Sequence, residues 1–240
     1  MKKKLYALNF LPWPPVSGGR KVSLATLQEL GADNVIELVC FEQDATEEFL
    51  ACLKAECPGL NQIHLVPYHR ASRWMLPFMN LFGKCYFLFR EGSNAYQSKV
   101  KELTRTGKYD LLFSDTLLVA ANLIPLSAEI KRWVPWVSQL YNVNGLLFKR
   151  FLGVKSWLRP VLFLECLLLS RTEQSYWLLP DRTVFISQAD RKMAEAIVGP
   201  QSSLIGSPWR REELSACSLV FQVAVHYEFC RVTSGQDGVE

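Results

Sequence analysis

Histidine is scarce in this chain of 240 residues, which contains only three. His64, His69 and His226 lie far apart, and none stands at zinc-ligand spacing from a pair of cysteines. Zinc sites are built from such clusters of histidine and cysteine. We therefore expect no metal centre, and nothing in the sequence indicates another cofactor.

Paired cysteine motifs are also missing. The seven cysteines are odd in number and scattered, and none forms a C-x-x-C pair. Small secreted domains that depend on disulfides carry an even set of cysteines at regular spacings. The sequence therefore predicts reduced thiols, packed mostly as small apolar residues, in a cytoplasmic protein.

A strong charge of either sign is lacking. Lys and Arg total 27 against 23 for Asp and Glu, so the formal net charge is only +4. Proteins that bind nucleic acids concentrate positive charge into stripes, often beside stacking aromatics, and no such stripe is visible. We expect no nucleic-acid partner. The mild excess of basic residues is more compatible with binding to an anionic membrane surface than with binding to a nucleic acid.

No apolar run is long enough to predict a membrane span. The longest two, residues 74–89 and 158–169, are short or broken by charges, whereas a span needs about 20 apolar residues. The basic residues 2–4 resemble the start of a signal peptide, but the apolar run after them ends early, at Pro12. This pattern predicts a first strand rather than a leader.

What is present is an alternation of short apolar runs and amphipathic segments. The run from Val35 to Phe41 is almost continuously apolar, as expected of a parallel strand covered on both faces. Short connections between alternating strands and helices predict an α/β fold with a Rossmann-like, doubly wound parallel sheet. The predicted strands are Lys4–Phe10, Val35–Phe41, Gln62–Tyr68, Tyr109–Ser114, Val134–Leu140 and Thr183–Ser187. The predicted helices are Arg20–Leu30, Asp44–Cys57, Ser93–Thr106, Leu117–Leu123, Leu146–Leu179 and Ala189–Val198.

The loop from Leu11 to Gly19 joins the first strand to the first helix. Prolines stiffen its first half by fixing φ, and Gly18 and Gly19 allow the backbone of its second half to approach a ligand closely. Backbone N–H groups at a helix start are unpaired and lie at the positive end of the dipole, which suits phosphate or a sugar oxygen. An empty strand-to-helix turn explains the same residues equally well.

Three polar residues follow predicted strands on the carboxyl side, where open α/β sheets place ligand groups. Asp115 comes after the fourth strand, and Asn142 and Asn144 come after the fifth. Asp115 or Thr116 is also a sufficient N-cap for the helix that follows, and asparagine is common in turns. The ligand interpretation and the local structural interpretation both stay open.

Residues 70–90 are rich in aromatic and aliphatic side chains, interspersed with arginine and lysine. One interpretation is a buried pair of helices. The other is a surface that binds a lipid-linked or otherwise apolar acceptor, or that touches a membrane. The apolar residues are Trp74, Met75, Leu76, Phe78, Met79, Leu81, Phe82, Tyr86, Phe87, Leu88 and Phe89.

Several local strings carry a family resemblance. The most specific is the proline-rich loop that ends in Gly18-Gly19-Arg20, and the next is Ser187-Gln188-Ala189-Asp190-Arg191. The others are Val35–Cys40, Tyr109–Asp115, Tyr141–Val143 and Arg171–Trp177. Together they resemble the amino-terminal half of bacterial GT-B glycosyltransferases of the retaining, family-four kind, from Lys3 to about Gly206.

That family implies two Rossmann-like domains facing a cleft, in which the amino-terminal domain holds the acceptor and the carboxyl-terminal domain a nucleotide-sugar donor. By this resemblance Gly18 and Gly19 approach the donor phosphates, whereas Arg20, Asp115 and Asn142 lie on the acceptor side. The implied activity is transfer of a sugar from a nucleotide-sugar to a saccharide or lipid-linked acceptor.

The chain departs from the family in two places. Tyr141 and Asn144 stand where the family's His-Asn-x-Glu string has its histidine and acid, so we assign no catalytic residue there. After Gly206 the family's linker and donor domain have no counterpart. We therefore divide the chain into a glycosyltransferase domain, residues 1–206, and a divergent tail, residues 207–240, in which residues 218–232 alternate loosely like a strand.

Three hypotheses follow. The first is an amino-terminal glycosyltransferase domain, catalytically incomplete alone, which is either truncated or one half of a split enzyme with its donor half on another chain. The second is a non-catalytic binding or assembly subunit, or a remnant of such an enzyme. The third, a dinucleotide-binding enzyme, has less support because Ser17–Arg20 lacks the G-x-G-x-x-G spacing, although Glu37 or Glu42 fits the acid that binds ribose.

Overall fold

The computed structural model describes residues 1–43, 45–69, 72–143, 159–201 and 204–206. Seven strands in these residues form a single sheet of order β3-β2-β1-β4-β5-β6-β7, and every neighbouring pair is parallel. The strands are β1 (Lys2–Ala7), β2 (Asn34–Phe41), β3 (Leu60–Val66), β4 (Leu111–Asp115), β5 (Trp136–Leu140), β6 (Arg182–Phe185) and β7 (Leu204–Gly206).

Helices connect most of the strands. They are α1 (Gly18–Ala32), α2 (Glu47–Glu56), α3 (Leu76–Leu81), α4 (Tyr86–Phe89), α5 (Asn94–Thr106), α6 (Ala120–Leu123), α7 (Ser127–Trp133), α8 (Arg159–Trp177) and α9 (Gln188–Val198). This arrangement confirms the predicted α/β fold with a Rossmann-like, doubly wound parallel sheet.

The two faces of the sheet carry separate apolar layers because side chains alternate along each strand. On β1, Leu5 and Ala7 pack into a layer with α5 and α8, whereas Tyr6 packs with α1 and α2 on the opposite face. The layers therefore cover both faces, as the continuous apolar run of β2 predicts.

Hydroxyl side chains define where the principal helices begin. In each case the oxygen of a serine or threonine, placed just before the helix, accepts a hydrogen bond from the N–H three residues later. The pairs are Ser17 with Arg20, Thr46 with Phe49, Ser93 with Tyr96, and Ser187 with Asp190. The same serines end the preceding loops, so α1 and α9 start at fixed points beside the sheet.

Two glycines hold the end of α1 against the start of β3. A Cβ placed on Gly59 would lie 2.1 Å from the carbonyl oxygen of Gly31 and 2.6 Å from its Cα. The N–H of Ile36 donates to the carbonyl of Gly59 at 2.8 Å, which fixes the same loop to β2. Only glycine at position 59 allows this approach.

Several predicted boundaries are wrong for identifiable reasons. β1 starts at Lys2 instead of Lys4, because Lys3 is neutralised by Glu37, with Nζ 2.9 Å from Oε1. β4 includes Asp115 as its last residue. The predicted helix 117–123 is instead a 3₁₀ turn, Leu117–Val119, followed by the short α6. The short β7 was not predicted at all.

The prediction of a buried helix pair in residues 70–90 is wrong for much of this segment. α3 and α4 pack on α8 through a few inward side chains: Asn80 Nδ2 donates to the carbonyl of Val161 at 3.1 Å, and the Glu165 carboxylate accepts the N–H groups of Tyr86 and Phe87. The outward side chains are exposed, among them Trp74, Phe78, Leu81 and Phe82.

Some predictions fall on residues outside the described part of the chain. These are Asn144, the helix from Leu146 up to residue 158, and the tail from residue 207 with its loosely alternating segment. In the part that is described, no helix combines the length and apolar character needed to cross a membrane.

Candidate functional site

The carboxyl edge of the sheet gathers the residues that the sequence singled out. All strands are parallel, so β1, β4, β5 and β6 end at this edge. The chain moves from β1 outward to β2 and β3, then crosses to β4 on the other side of β1. The strand order therefore reverses between β1 and β4, and such a switch point leaves a crevice that ligands commonly occupy.

Asp115 ends β4 at this switch point and is fully buried. Its Oδ2 accepts hydrogen bonds from three hydroxyl groups: Tyr6 of β1 at 2.6 Å, Ser23 of α1 at 2.7 Å, and Tyr141 just after β5. Ser23 Oγ is also 2.6 Å from the hydroxyl of Tyr141. One carboxylate thus joins α1 to three neighbouring strands.

Burial and these hydroxyls act on the pKa of Asp115 in opposite directions. Burial penalises the charged form and raises the pKa, whereas the donors Tyr141, Tyr6 and Ser23 lower it, and the balance places it at about 6 instead of 3.8. Burial beside Asp115 raises the pKa of Tyr6 well above its usual value, so this hydroxyl keeps its proton and donates. Asp115 is therefore a carboxyl that exchanges its proton in the weakly acidic range.

The second carboxylate oxygen of Asp115 lacks the hydroxyl donors that surround the first. Oδ1 is buried and has no hydrogen-bond partner among the described residues. A buried acceptor without a donor is costly, about 1–3 kcal/mol, and native structures contain few of them. The backbone N–H of Thr116 also acts on this carboxylate and lowers its pKa. Because Asp115 is fully buried, the cost of Oδ1 belongs to the cluster itself and does not mark a ligand contact.

Backbone strain adjoins this carboxyl. Thr116, the next residue, has φ 70 and ψ 154, a conformation that is essentially confined to glycine. Its hydroxyl donates to Asn9 Oδ1 at 3.2 Å, so the turn after β4 is tied to the loop after β1. Strained residues of this kind cluster at binding sites, because the surrounding structure must hold them in place.

The loop after β1 leads to the start of α1 at the same edge. Leu11 is buried, and the N–H of Val16 donates to the carbonyl of Pro14 at 2.8 Å. Gly18 and Gly19 are buried in the first turn of α1, and Arg20 beside them is half-buried. The Arg20 N–H donates to Ser17 Oγ at 3.3 Å, and the first turn of α1 lies at the carboxyl edge of the sheet.

The segment after β5 contributes the last residues of the cluster at this edge of the sheet. Tyr141 packs against Val22 of α1 and Ile186, which follows β6, and Asn142 is half-buried next to it. Because Ser23 bonds to both Asp115 and Tyr141, the start of α1 and the ends of β4 and β5 form one cluster. Gly18, Gly19, Arg20, Asp115 and Asn142 therefore occupy one edge of the sheet.

The interpretation of Asp115 or Thr116 as an N-cap is wrong. The 3₁₀ turn that begins at Leu117 has no side-chain cap, and the Asp115 carboxylate is engaged with hydroxyls instead. Sequence reasoning also missed Tyr6 and Ser23 as partners of Asp115. Each lies within an apolar strand or helix, where a tyrosine or serine gives no separate signal.

The remaining polar residues bear on two other kinds of site, a ribose-binding acid and a metal centre. Glu37 accepts hydrogen bonds from Tyr109, His64 and Lys3, and although burial opposes ionisation, these donors lower its pKa to about 2. It is therefore occupied within the protein rather than placed to bind a ribose. Within the described residues, no group of three or more His, Cys, Asp or Glu side chains is arranged to hold a metal ion.

No protein-family model matches this chain, and no curated protein sequence matches it. Solved structures that resemble this chain include the following three. The glycotransferase of kitacinnamycin is 12% identical with a TM-score of 0.44, covering 88% of this chain and 52% of that chain. CalG4, the calicheamicin glycosyltransferase, is 16% identical with a TM-score of 0.45, covering 85% of this chain and 52% of that chain.

The third is the N-terminal domain of trehalose-6-phosphate phosphatase from Candida albicans, 15% identical with a TM-score of 0.44, covering 95% of this chain and 55% of that chain. This chain thus spans about half the length of each of the three. At such low identity the likeness concerns the fold alone.

Proposed function

We propose that this domain forms the acceptor side of a glycosyltransferase cleft, in a reaction that transfers a sugar from a nucleotide-sugar to a saccharide or lipid-linked acceptor. The observation that carries the proposal is the cluster at the switch point. There the glycine-rich start of α1 adjoins Asp115, whose carboxylate accepts hydrogen bonds from Ser23 of α1, Tyr6 of β1 and Tyr141 after β5.

Each part of the cluster has a role in this proposal. The buried Gly18 and Gly19 bring backbone N–H groups close to the donor diphosphate, since glycine leaves the backbone uncovered. The half-buried Arg20 and Asn142 contact the hydroxyl-rich acceptor. Asp115 acts as a positioning residue, because its bonds to Ser23 and Tyr141 hold the start of α1 against β4 and β5.

The nucleotide part of the donor requires a further domain facing this edge, as the resemblance implies. Residues that neutralise a leaving diphosphate contribute most of the rate of such a transfer. We assign none of them to residues 1–206. Binding at the edge and sugar transfer are therefore separable properties, and each is measured by itself.

The test measures binding of pyrophosphate and of a panel of nucleotide-sugars to the purified chain by ligand-observed NMR. Gly19→Ala adds a methyl group where the backbone is proposed to meet the diphosphate. We expect it to weaken binding about tenfold, the loss of roughly one charge-assisted hydrogen bond. Gly31→Ala, at the other end of the same helix, is the matched control, because its Cβ would meet Gly59 Cα only at 3.5 Å.

Binding that is lost in Gly19→Ala and retained in Gly31→Ala supports the proposal. Equal effects of the two substitutions, or no binding of any compound in the panel, contradict it and leave the non-catalytic assembly subunit. Release of sugar from a nucleotide-sugar by the purified chain contradicts only the assignment of donor chemistry to a further domain.

A further inference from the structure

The outward faces of α3 and α8 expose an unusual number of large apolar side chains. Trp74 is 77% exposed, Phe78 62% and Leu81 78%, and all three belong to α3 or the 3₁₀ turn before it. Helix α8 adds Phe163, Leu164 and Leu167. We call these six residues, with Phe82, the α3–α8 surface.

One contact places the two helices side by side. The side chain of Asn80, which is buried, donates to the backbone of Val161. Leu81 and Phe82 directly follow Asn80, and Phe163 and Leu164 lie within one turn of Val161. The two helices are thus adjacent, each presents exposed apolar side chains, and exposed apolar groups concentrated in this way mark an interaction site.

The charged side chains known to be exposed on α8 and in residues 72–90 are positive. Lys84, Arg159 and Arg171 are exposed. The sequence from residue 72 to residue 90 contains no acidic residue, and the two acids of α8, Glu165 and Glu173, are buried on its inner side. An outward face with apolar groups and cations, but no exposed carboxylate, complements an anionic surface.

From this arrangement we propose that the α3–α8 surface docks the protein peripherally on a bilayer that contains anionic phospholipid. Helices that lie in a membrane interface carry aromatic and aliphatic residues on one face and basic residues at its borders. Trp74 and the phenylalanines insert between the lipid headgroups, and the three cations contact the lipid phosphates.

A second copy of this chain fits the surface less well. Symmetric dimers place the same patch of both subunits against each other, so the cations of each copy would find no opposite charge on the other. Like charges facing each other across an interface oppose association. The lipid surface instead supplies the opposite charge. The inference is independent of the proposed function, since membrane binding requires no sugar transfer.

The test is co-sedimentation of the purified full chain with vesicles of phosphatidylcholine, alone or mixed with phosphatidylserine. We expect binding only to the mixed vesicles and a decrease with added salt, because screening weakens surface electrostatics. Lys84→Gln with Arg159→Gln is expected to weaken binding about fivefold for each cation removed. Phe78→Ser with Leu81→Ser is expected to weaken it by roughly tenfold or more.

A matched control separates the α3–α8 surface from general hydrophobicity. Trp133 and Ile197 are 47% and 45% exposed on α7 and α9, and Trp133→Ser with Ile197→Ser removes as many large side chains elsewhere. Circular dichroism establishes that all variants are folded. Selective loss in the Phe78 and Leu81 variant supports the proposal.

Three results overturn the proposal: no binding to mixed vesicles, equal loss in the two serine variants, or a concentration-dependent dimer that Phe78→Ser with Leu81→Ser abolishes in the absence of vesicle binding.

Discussion

Replacing Asp115 by asparagine tests whether the buried carboxyl really titrates in the weakly acidic range. Burial raises its pKa from 3.8 to about 6. The unfolded chain therefore loses this proton near pH 4, whereas the folded protein holds it to about pH 6. Between these values the folded state binds more protons, so stability falls as the pH rises. Above about pH 7 the penalty is constant.

The size of the effect follows from the shift. A shift from 3.8 to about 6, at 1.36 kcal/mol for each pH unit, amounts to roughly 3 kcal/mol over the whole interval, of which about 1 kcal/mol falls between pH 5 and 7. Asp115→Asn carries no charge at any of these pH values, and its amide oxygen still accepts hydrogen bonds from Tyr6, Ser23 and Tyr141. The variant is therefore expected to lack this slope.

The assay is urea unfolding of the protein and of Asp115→Asn, at pH 5, 6 and 7. The difference in free energy of unfolding between the two isolates Asp115. Other groups cancel, including Glu37, whose lowered pKa of about 2 affects stability only at more acidic pH. We expect the free energy of unfolding of the variant, relative to that of the unsubstituted protein, to rise by about 1 kcal/mol between pH 5 and pH 7. A constant difference would show that the hydroxyl donors outweigh burial, which refutes the reasoning.

Two further predictions concern the backbone. Gly59→Ala is expected to lower the free energy of unfolding by about 3 kcal/mol or more, because its Cβ would overlap backbone atoms of Gly31 that cannot move aside. Gly31→Ala, within a helix, is expected to be neutral or stabilising. Thermal unfolding compares the two variants, and similar losses of stability in both would contradict the explanation. Thr116→Val keeps the strained φ 70 and loses the bond to Asn9, whereas Thr116→Gly loses the bond but relieves the strain. The glycine variant is expected to be more stable by about 1 kcal/mol or more in urea unfolding, and the reverse order would show that position 116 is not strained.

The fold was predictable from the sequence because its signals are local. Apolar runs such as Val35 to Phe41 and glycine or serine at helix boundaries identify a strand or helix without reference to the rest of the chain. The boundaries failed where a distant partner decides them. Lys3 reads as a charged residue before a strand, yet it lies within β1 because Glu37, on the neighbouring strand, compensates its charge.

The candidate site was predictable only in part. The positions of Asp115 and Asn142 after strands follow from the parallel sheet, and so does the start of α1 at the same edge. The partners of Asp115 do not follow. Tyr6 and Ser23 lie 109 and 92 residues away from it in the sequence. Each occupies a position in its strand or helix that an apolar core residue would fit equally well.

The surface formed by α3 and α8 shows a different limit of sequence reasoning. Glu165 interrupts an apolar run, and hydropathy alone places such a charge on the outside of a helix. In the structure it is buried, because it accepts the N–H groups of Tyr86 and Phe87 at the start of α4 and a hydrogen bond from Cys85 Sγ. Glu165 thus shares the inner side of α8 with Leu162 and Cys166, whereas Phe163, Leu164 and Leu167 are exposed.

The tethering of the loop after β1 restricts how the protein can respond to a ligand. At one end, the Tyr96 hydroxyl donates to the carbonyl of Leu8 at 2.7 Å. At the other, Ser23 fixes α1 to Asp115. With both ends anchored, β1 and α1 do not move with the loop, so the hinges of any lid-like motion lie within the loop itself. Any change of shape on binding must be a rearrangement of backbone dihedrals between residues 9 and 17, with the anchors left in place.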